Sequence, residues 1–298
     1  MSTMKATLVA GSVLALLSCG AGATGEVRIG LEAEDTITRG LASGSAEEDV
    51  IDGWTVTYTR FVVTLGGVRL ARSSAGEVRT SDALTTVDLR ALPASGFELA
   101  SFAGVAATRW DVFGFETPST SLASTRDASV SAADFGRMVA GACTYLLVGT
   151  LTSDLGQTLD FDLCVPAATE YGPCSTPDGM SGVAVAAAAT SAAHVTLHGD
   201  HLWFNAFPSG AEAIVERRAQ WMLDCDADGD RHVTEAELQA MPAASIFTTL
   251  RHYDLAGGPT VDGHGILTAW DWVRAQMSTL GHFQGEGECA WSPSPSGI

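Results

Sequence analysis

The sequence predicts a mainly β plus α chain: an N-terminal antiparallel β-sandwich over residues 26–205, then a small α-helical domain over 209–285. Three observations carry this. Up to Asn205, short runs alternate apolar and polar residues between turn residues. After Phe207-Pro208-Ser209-Gly210 the apolar spacing becomes helical. Hydrophobic residues form 46% of the 298, enough for the core of one large domain or two ordinary ones.

In the first part, Trp54, Val56 and Tyr58 alternate with threonines. The parity then shifts, and Phe61, Val63 and Leu65 continue the apolar face, which calls for a β-bulge. Gly66-Gly67 marks a bend before Val68 and Leu70. Further strand-like runs are Thr85–Leu89, Phe97–Phe102, Thr108–Phe115, Cys143–Thr152 and Thr158–Val165. Asp154-Leu155-Gly156-Gln157 reads as the hairpin turn between the last two. His194 to Phe204 reads as the final strand. In the second part, Ile214, Arg218, Trp221, Met222 and Cys225 share one helical stripe, with Arg218 as its polar exception. Ser209 is the expected N-cap, with Glu212 completing a capping box. Pro242 ends a second, short helix. A third is expected from Ala243 to Tyr253 and a fourth from Ala269 to Leu280. Residues 286–298 read as a tail, disordered unless Cys289 holds it.

Composition narrows the chemistry. The chain carries 16 basic and 35 acidic side chains, a net charge of −19, which argues against a nucleic-acid partner. Its one lysine, Lys5, lies in the N-terminal segment, so the rest of the chain has no lysine for a phosphate loop or a Schiff base. No G-x-S-x-G or H-E-x-x-H run is present, and no nucleophile–base pair is identifiable, so a non-enzymatic role is expected.

Lys5 followed by apolar Ala6–Leu17 reads as a signal peptide over residues 1–19, too short to span a bilayer comfortably. Leu16-Leu17-Ser18-Cys19-Gly20 resembles the lipobox of bacterial lipoproteins. The resemblance implies cleavage before Cys19 and lipid on that residue. The protein's partner would then be a membrane, reached through the lipid anchor, at the outer membrane or cell surface of the bacterial envelope. Residues 20–25 would be a flexible tether. An envelope protein partner fits this setting, but no residue identifies one. The order YTRFVVTLGGVRL, TTVDLRAL, FELASFAGVAATRWDVFGFETP and HVTLHGDHLWF resembles envelope β-sandwich lipoproteins, and its rhythm is similar to that of copper-binding periplasmic proteins that partner methanobactin systems. Export favours disulfides. Five cysteines remain after Cys19, so one thiol is left unpaired or pairs between chains. Cys225 with Cys289 would pin the tail, leaving Cys143, Cys164 and Cys174 to compete for one bond.

The strongest chemical signal is Asp224-Cys-Asp-Ala-Asp-Gly-Asp-Arg-His-Val-Thr-Glu-Ala-Glu-Leu238. A hard divalent cation needs several oxygen ligands on a tight turn, and alternate aspartates closed by a glutamate supply them. The run resembles an EF-hand calcium loop of the calmodulin type, which implies Ca2+ as the bound ion. Two registers fit. One starts at Asp224, places Gly229 at position 6 and closes with Glu235. The other takes Asp226, Asp228, Asp230, the His232 carbonyl, Thr234 and Glu237 as ligands. The second is preferred, because Val233 then fills the aliphatic position 8 and Leu238 follows the closing glutamate. It departs from the family at Arg231, which stands where glycine is usual. EF-hands pair, and Thr260–Asp271 fits a second, weaker hand with Asp262, His264 and Asp271 as its polar residues; it is expected mainly as a structural partner.

The rival site is His194-x-x-x-His198-x-Asp200-His201. Its imidazoles could hold zinc or copper. On a regular strand His201 faces away from His194 and His198, so a bulge at Gly199 would be needed to gather the rings. The competing reading is that these histidines line the domain junction beside Trp203. Glu47-Glu48-Asp49 reads as a solvated turn.

Overall fold

The computed structural model describes residues 22–93, 96–207 and 215–294. The signal segment with Cys19, the Ser209/Glu212 cap and Ile214 lie outside the described residues. In chain order the first elements are β1 (Thr24–Ala33), α1 (Asp35–Thr38), β2 (Trp54–Arg72), β3 (Glu77–Asp88), β4 (Phe97–Ala106), β5 (Arg109–Trp110), β6 (Val112–Thr117) and β7 (Thr125–Arg126). After α2 (Ala132–Gly141) come β8 (Tyr145–Ser153), β9 (Thr158–Val165), β10 (Thr169–Cys174), β11 (Val183–Ala184) and β12 (Thr190–Leu197). The rest comprises α3 (Gln220–Asp224), β13 (His232–Val233), α4 (Glu235–Ala240), α5 (Ala243–Ile246), α6 (Ala269–Met277), β14 (Gly281–Phe283) and β15 (Cys289–Pro293).

Two sheets dominate. One has four strands in the order β14-β12-β1-β4. The other has nine: the path β13-β9-β8-β2-β6-β10-β15, with β3 beside β2 and β7 beside β3. Apolar alternation in β2 buries Trp54, Val56 and Tyr58, and after a register shift between Tyr58 and Arg60 it buries Phe61 and Val63. That shift is the expected bulge, and it lets one long strand change which parity faces inward. Gly66-Gly67 does not end the strand. A second register shift sits there inside a continuous β2, and Gly67 has φ 55°, where a Cβ would lie 2.3 Å from Glu116 Oε1. Only glycine takes this conformation at this close approach without displacing Glu116.

Three expectations need correction. The sheets are not purely antiparallel: β1 runs parallel to β12, β9 to β13 and β3 to β7. The tether over 20–25 overlaps β1, which starts at Thr24, and a Cβ on Gly25 would lie 2.1 Å from the Ala186 carbonyl. The largest correction is to the fold class, because there is no separate α-helical EF-hand domain. The chain is mostly β, with six short α-helices among the described residues. The segment after Phe207 gives β13 to the nine-stranded sheet through β9, β14 to the four-stranded sheet through β12, and β15 to β10. Its apolar side chains join the same core: Trp221 packs 5.9 Å from Trp203, which packs 5.9 Å from Phe161. Helices of four to nine residues are too short to close a core of their own and bury their apolar faces on the sheets.

The helices also differ in extent. Arg217 lies in extended chain, bridged to Val50 and Phe204. The helix starts only at Gln220, where Asp52 accepts the N–H groups of Ala219 (2.9 Å) and Gln220 (3.0 Å). The expected third helix breaks into α5 and a 3-10 turn at Thr249–Arg251, ended by His252 at φ 65°. α6 matches its expected start and stops at Met277, and His194–Phe204 leaves the strand at Leu197.

The disulfides are Cys143–Cys164 and Cys174–Cys289, not Cys225–Cys289. Cys289 therefore fixes β15 to β10, and the tail is strand as far as Pro293. Cys225 is a free, fully buried thiol. Burial, reinforced by the charges of Asp224 and Glu237, pushes its pKa up to about 12 against the lesser pull of Arg251. With thiolate suppressed and access closed, Cys225 is expected to stay unmodified by a thiol reagent at pH 8 in native protein and to react once denatured. Rapid stoichiometric labelling of the native chain would contradict this placement.

Candidate metal centres

The acidic loop is built from local hydrogen bonds. Asp226 Oδ1 accepts the Gly229 N–H (3.0 Å) and its Oδ2 the Arg231 N–H (3.2 Å). Asp228 accepts from the Asp230 N–H (3.1 Å), and Asp230 from the His232 N–H (2.7 Å). These side-chain turns curl the backbone inward. Thr234 and Glu237 form a capping box that opens α4. Glu237 also reaches across the loop to the Ala227 N–H (2.9 Å). Carboxylate oxygens of Asp226, Asp228 and Glu237 thereby lie within 4.8 Å of one another. Asp230, His232 and Thr234 follow along the same turn, but Asp230 is not part of that converging trio.

Arg231 has φ 69°. Gly229, at position 6 of the register starting at Asp224, is left-handed as well (φ 76°), so this angle fits either register. The Asp224 register loses its ends: Asp224 is ion-paired with Arg251 and accepts from Gln220 Nε2 (3.2 Å), while Glu235 accepts from Gln239 Nε2 (2.8 Å). Burial works against ionisation of Glu237, but the N–H groups of Thr234, Ala227 and Asp228 and the Thr234 hydroxyl outweigh it and hold its carboxyl below the usual range. The group is therefore charged at neutral pH, as a cation ligand must be.

Position 8 departs from the paired arrangement. Val233 is buried and its strand pairs with β9, His232 opposite Asp160 and Val233 opposite Phe161. This short strand is thus paired with the main sheet. The Thr260–Asp271 segment spends its polar groups locally. Asp262 is bound by the Arg274 guanidinium (Nη2–Oδ1 2.9 Å), His264 Nδ1 lies 2.7 Å from the Gly265 carbonyl, and Asp271 caps α6 by accepting from Leu267 and Thr268 (both 3.0 Å). Asp262, His264 and Asp271 are in none of the converging groups found among the described residues.

No protein-family model matches the chain, and neither a curated protein nor a solved structure resembles it significantly.

The histidine segment rearranges in an unforeseen way. β12 ends at Leu197, and Gly199 packs so tightly on α1 that a Cβ would lie 2.6 Å from Ile37 Cγ1. The chain then turns into a 3-10 helix at His201–Trp203. This turn brings His198 and His201 together, with ring centroids 5.5 Å apart. His194 stays behind on β12, opposite Gly30, with Nδ1 3.2 Å from Glu32 Oε1. Its place is taken by His282 of β14, whose ring centroid is 3.9 Å from that of His198. Ring nitrogens of His198, His201 and His282 lie within 4.8 Å of one another, and all three residues are buried. They line a cavity of about 370 Å³ together with Glu47 and Glu48, which sit on an exposed turn at its edge. Sequence reasoning missed His282 because it extended the last helix to Leu280, so the strand that carries this ring went unseen.

Proposed function

We propose that the protein binds one calcium ion in the 226–237 loop and uses it as a structural clamp, in a lipid-anchored protein of the bacterial envelope. The observation that carries the reading is the convergence of Asp226, Asp228 and Glu237 within 4.8 Å around a left-handed Arg231. Three carboxylates so close repel one another, and a hard dication relieves that repulsion while taking oxygen ligands. The ion would tie α4 to β13, and through β13 to the main sheet. A site of this kind, saturated at a hundred times its Kd, adds about 2.7 kcal/mol to native stability. Membrane attachment rests on the Cys19 motif alone. The role is non-enzymatic.

Calorimetric titration and thermal unfolding of the chain from Gly20 onward test this. One Ca2+ per chain and a Tm that rises with Ca2+ are expected, and both are lost in Asp228→Ala. Arg231→Gly is expected to raise the stability of the folded chain by up to roughly 1 kcal/mol with Ca2+ affinity little changed, because the left-handed angle it relaxes belongs to the folded loop itself. No heat and no Tm shift at millimolar Ca2+ in the wild type would end the proposal.

A further inference from the structure

We propose that His198, His201 and His282 form a second, independent metal centre that binds a borderline divalent ion of the zinc class. The tautomers support it. In the neutral ring, Glu34 Oε2, 2.9 Å from His198 Nδ1, favours the tautomer protonated at Nδ1, with the lone pair on Nε2. That Nε2 is buried and has no hydrogen-bond partner. His201 Nδ1 lies 2.8 Å from Thr279 Oγ1, whose own hydrogen is donated to the Gln276 carbonyl (2.8 Å). His201 must therefore donate from Nδ1 and also carry its lone pair on Nε2. His282 Nδ1 is likewise buried without a partner. Orphaned imidazole nitrogens of this kind cost stability unless something fills them.

The surroundings match the chemistry of such a site. A ligating histidine usually gives its other N–H to a carboxylate or hydroxyl, which sets its orientation, and Glu34 and Thr279 stand in those places. Three imidazoles on a cavity are the donor set of zinc sites that keep a fourth position open. The separations allow one ion, at Zn–N distances of about 2.0–2.1 Å, to gather the three rings by small side-chain adjustments. Glu34, Glu47, Glu48 and Glu286 line the same cavity and favour a cation; Asp200, also lining it, is paired with Arg217.

The test uses the untagged chain from Gly20 onward, stripped of metal, titrated with Zn2+ and then with Co2+ as a spectroscopic probe. Millimolar Ca2+ is present throughout, so that the outcome does not depend on the 226–237 loop. One Zn2+ per chain and the visible absorption of low-coordinate Co2+ are expected. His282→Ala is expected to abolish both. Glu34→Gln, a milder change that leaves the three rings in place, is expected to weaken Zn2+ binding about 10–100-fold. Circular dichroism confirms that each variant is folded. A wild type that takes up neither ion stoichiometrically would overturn the centre, as would binding that is unchanged in folded Glu34→Gln and His282→Ala; the three rings would then be ordinary core histidines.

Discussion

Replacing Cys174 and Cys289 together by alanine is expected to lower the unfolding free energy by about 2–5 kcal/mol. The bond closes a loop of sequence separation 115, far longer than the 21 of Cys143–Cys164, so it removes more freedom from the unfolded chain. It also holds β15 against β10, at the end of the nine-stranded sheet. Domains of this size are stable by about 5–15 kcal/mol in total, so the loss should be plain in a urea titration. Cys143→Ala/Cys164→Ala is expected to cost less. An equal or larger effect from the shorter loop would show that chain entropy does not rank the two bonds.

The second large effect is expected at Arg217. Its guanidinium donates to Asp200 Oδ2 from Nε (2.7 Å) and Nη2 (2.6 Å), and the two side chains are only 11% and 3% exposed. It also binds the Glu47 carbonyl and stacks over Phe204, with Cζ 5.1 Å from the ring centroid. Arg217→Met strands a buried carboxylate whose Oδ1 already has no partner, at an expected cost of about 3–5 kcal/mol. Adding Asp200→Asn removes the stranded charge and is expected to restore much of the loss. A single variant that loses less than about 1 kcal/mol in denaturant unfolding would mean that water reaches Asp200.

Arg217 also illustrates where sequence reading failed. Helical spacing from Ile214 to Cys225 placed it inside a helix, but backbone bridges to Val50 and Phe204 hold it in extended chain. Tertiary pairing overrode a local period, while Trp221, Met222 and Cys225 kept their expected inward face. α2 was legible but went unread: Ser131 accepts from the Asp134 N–H (3.0 Å), and Met138 is the one buried residue of its ten. The bulge after Tyr58 and the hairpin between β8 and β9 were legible because each depends on residues a few positions apart.

The two candidate centres divide along the same line. Every proposed ligand of the acidic loop falls within twelve residues, so spacing alone suggested the carboxylates, and Val233 and Leu238 set the preferred register. Sequence also determined that the chain is acidic and rich in alternating strands, since composition and short-range period are properties of the string itself. Only the tertiary structure decided that β1 lies parallel to β12, that the C-terminal segment builds into the sheets, and that His282 joins His198 and His201 while His194 does not. These contacts span tens to hundreds of residues. They are selected by which apolar faces pack together and which backbone groups remain to be paired, and no local pattern records that choice.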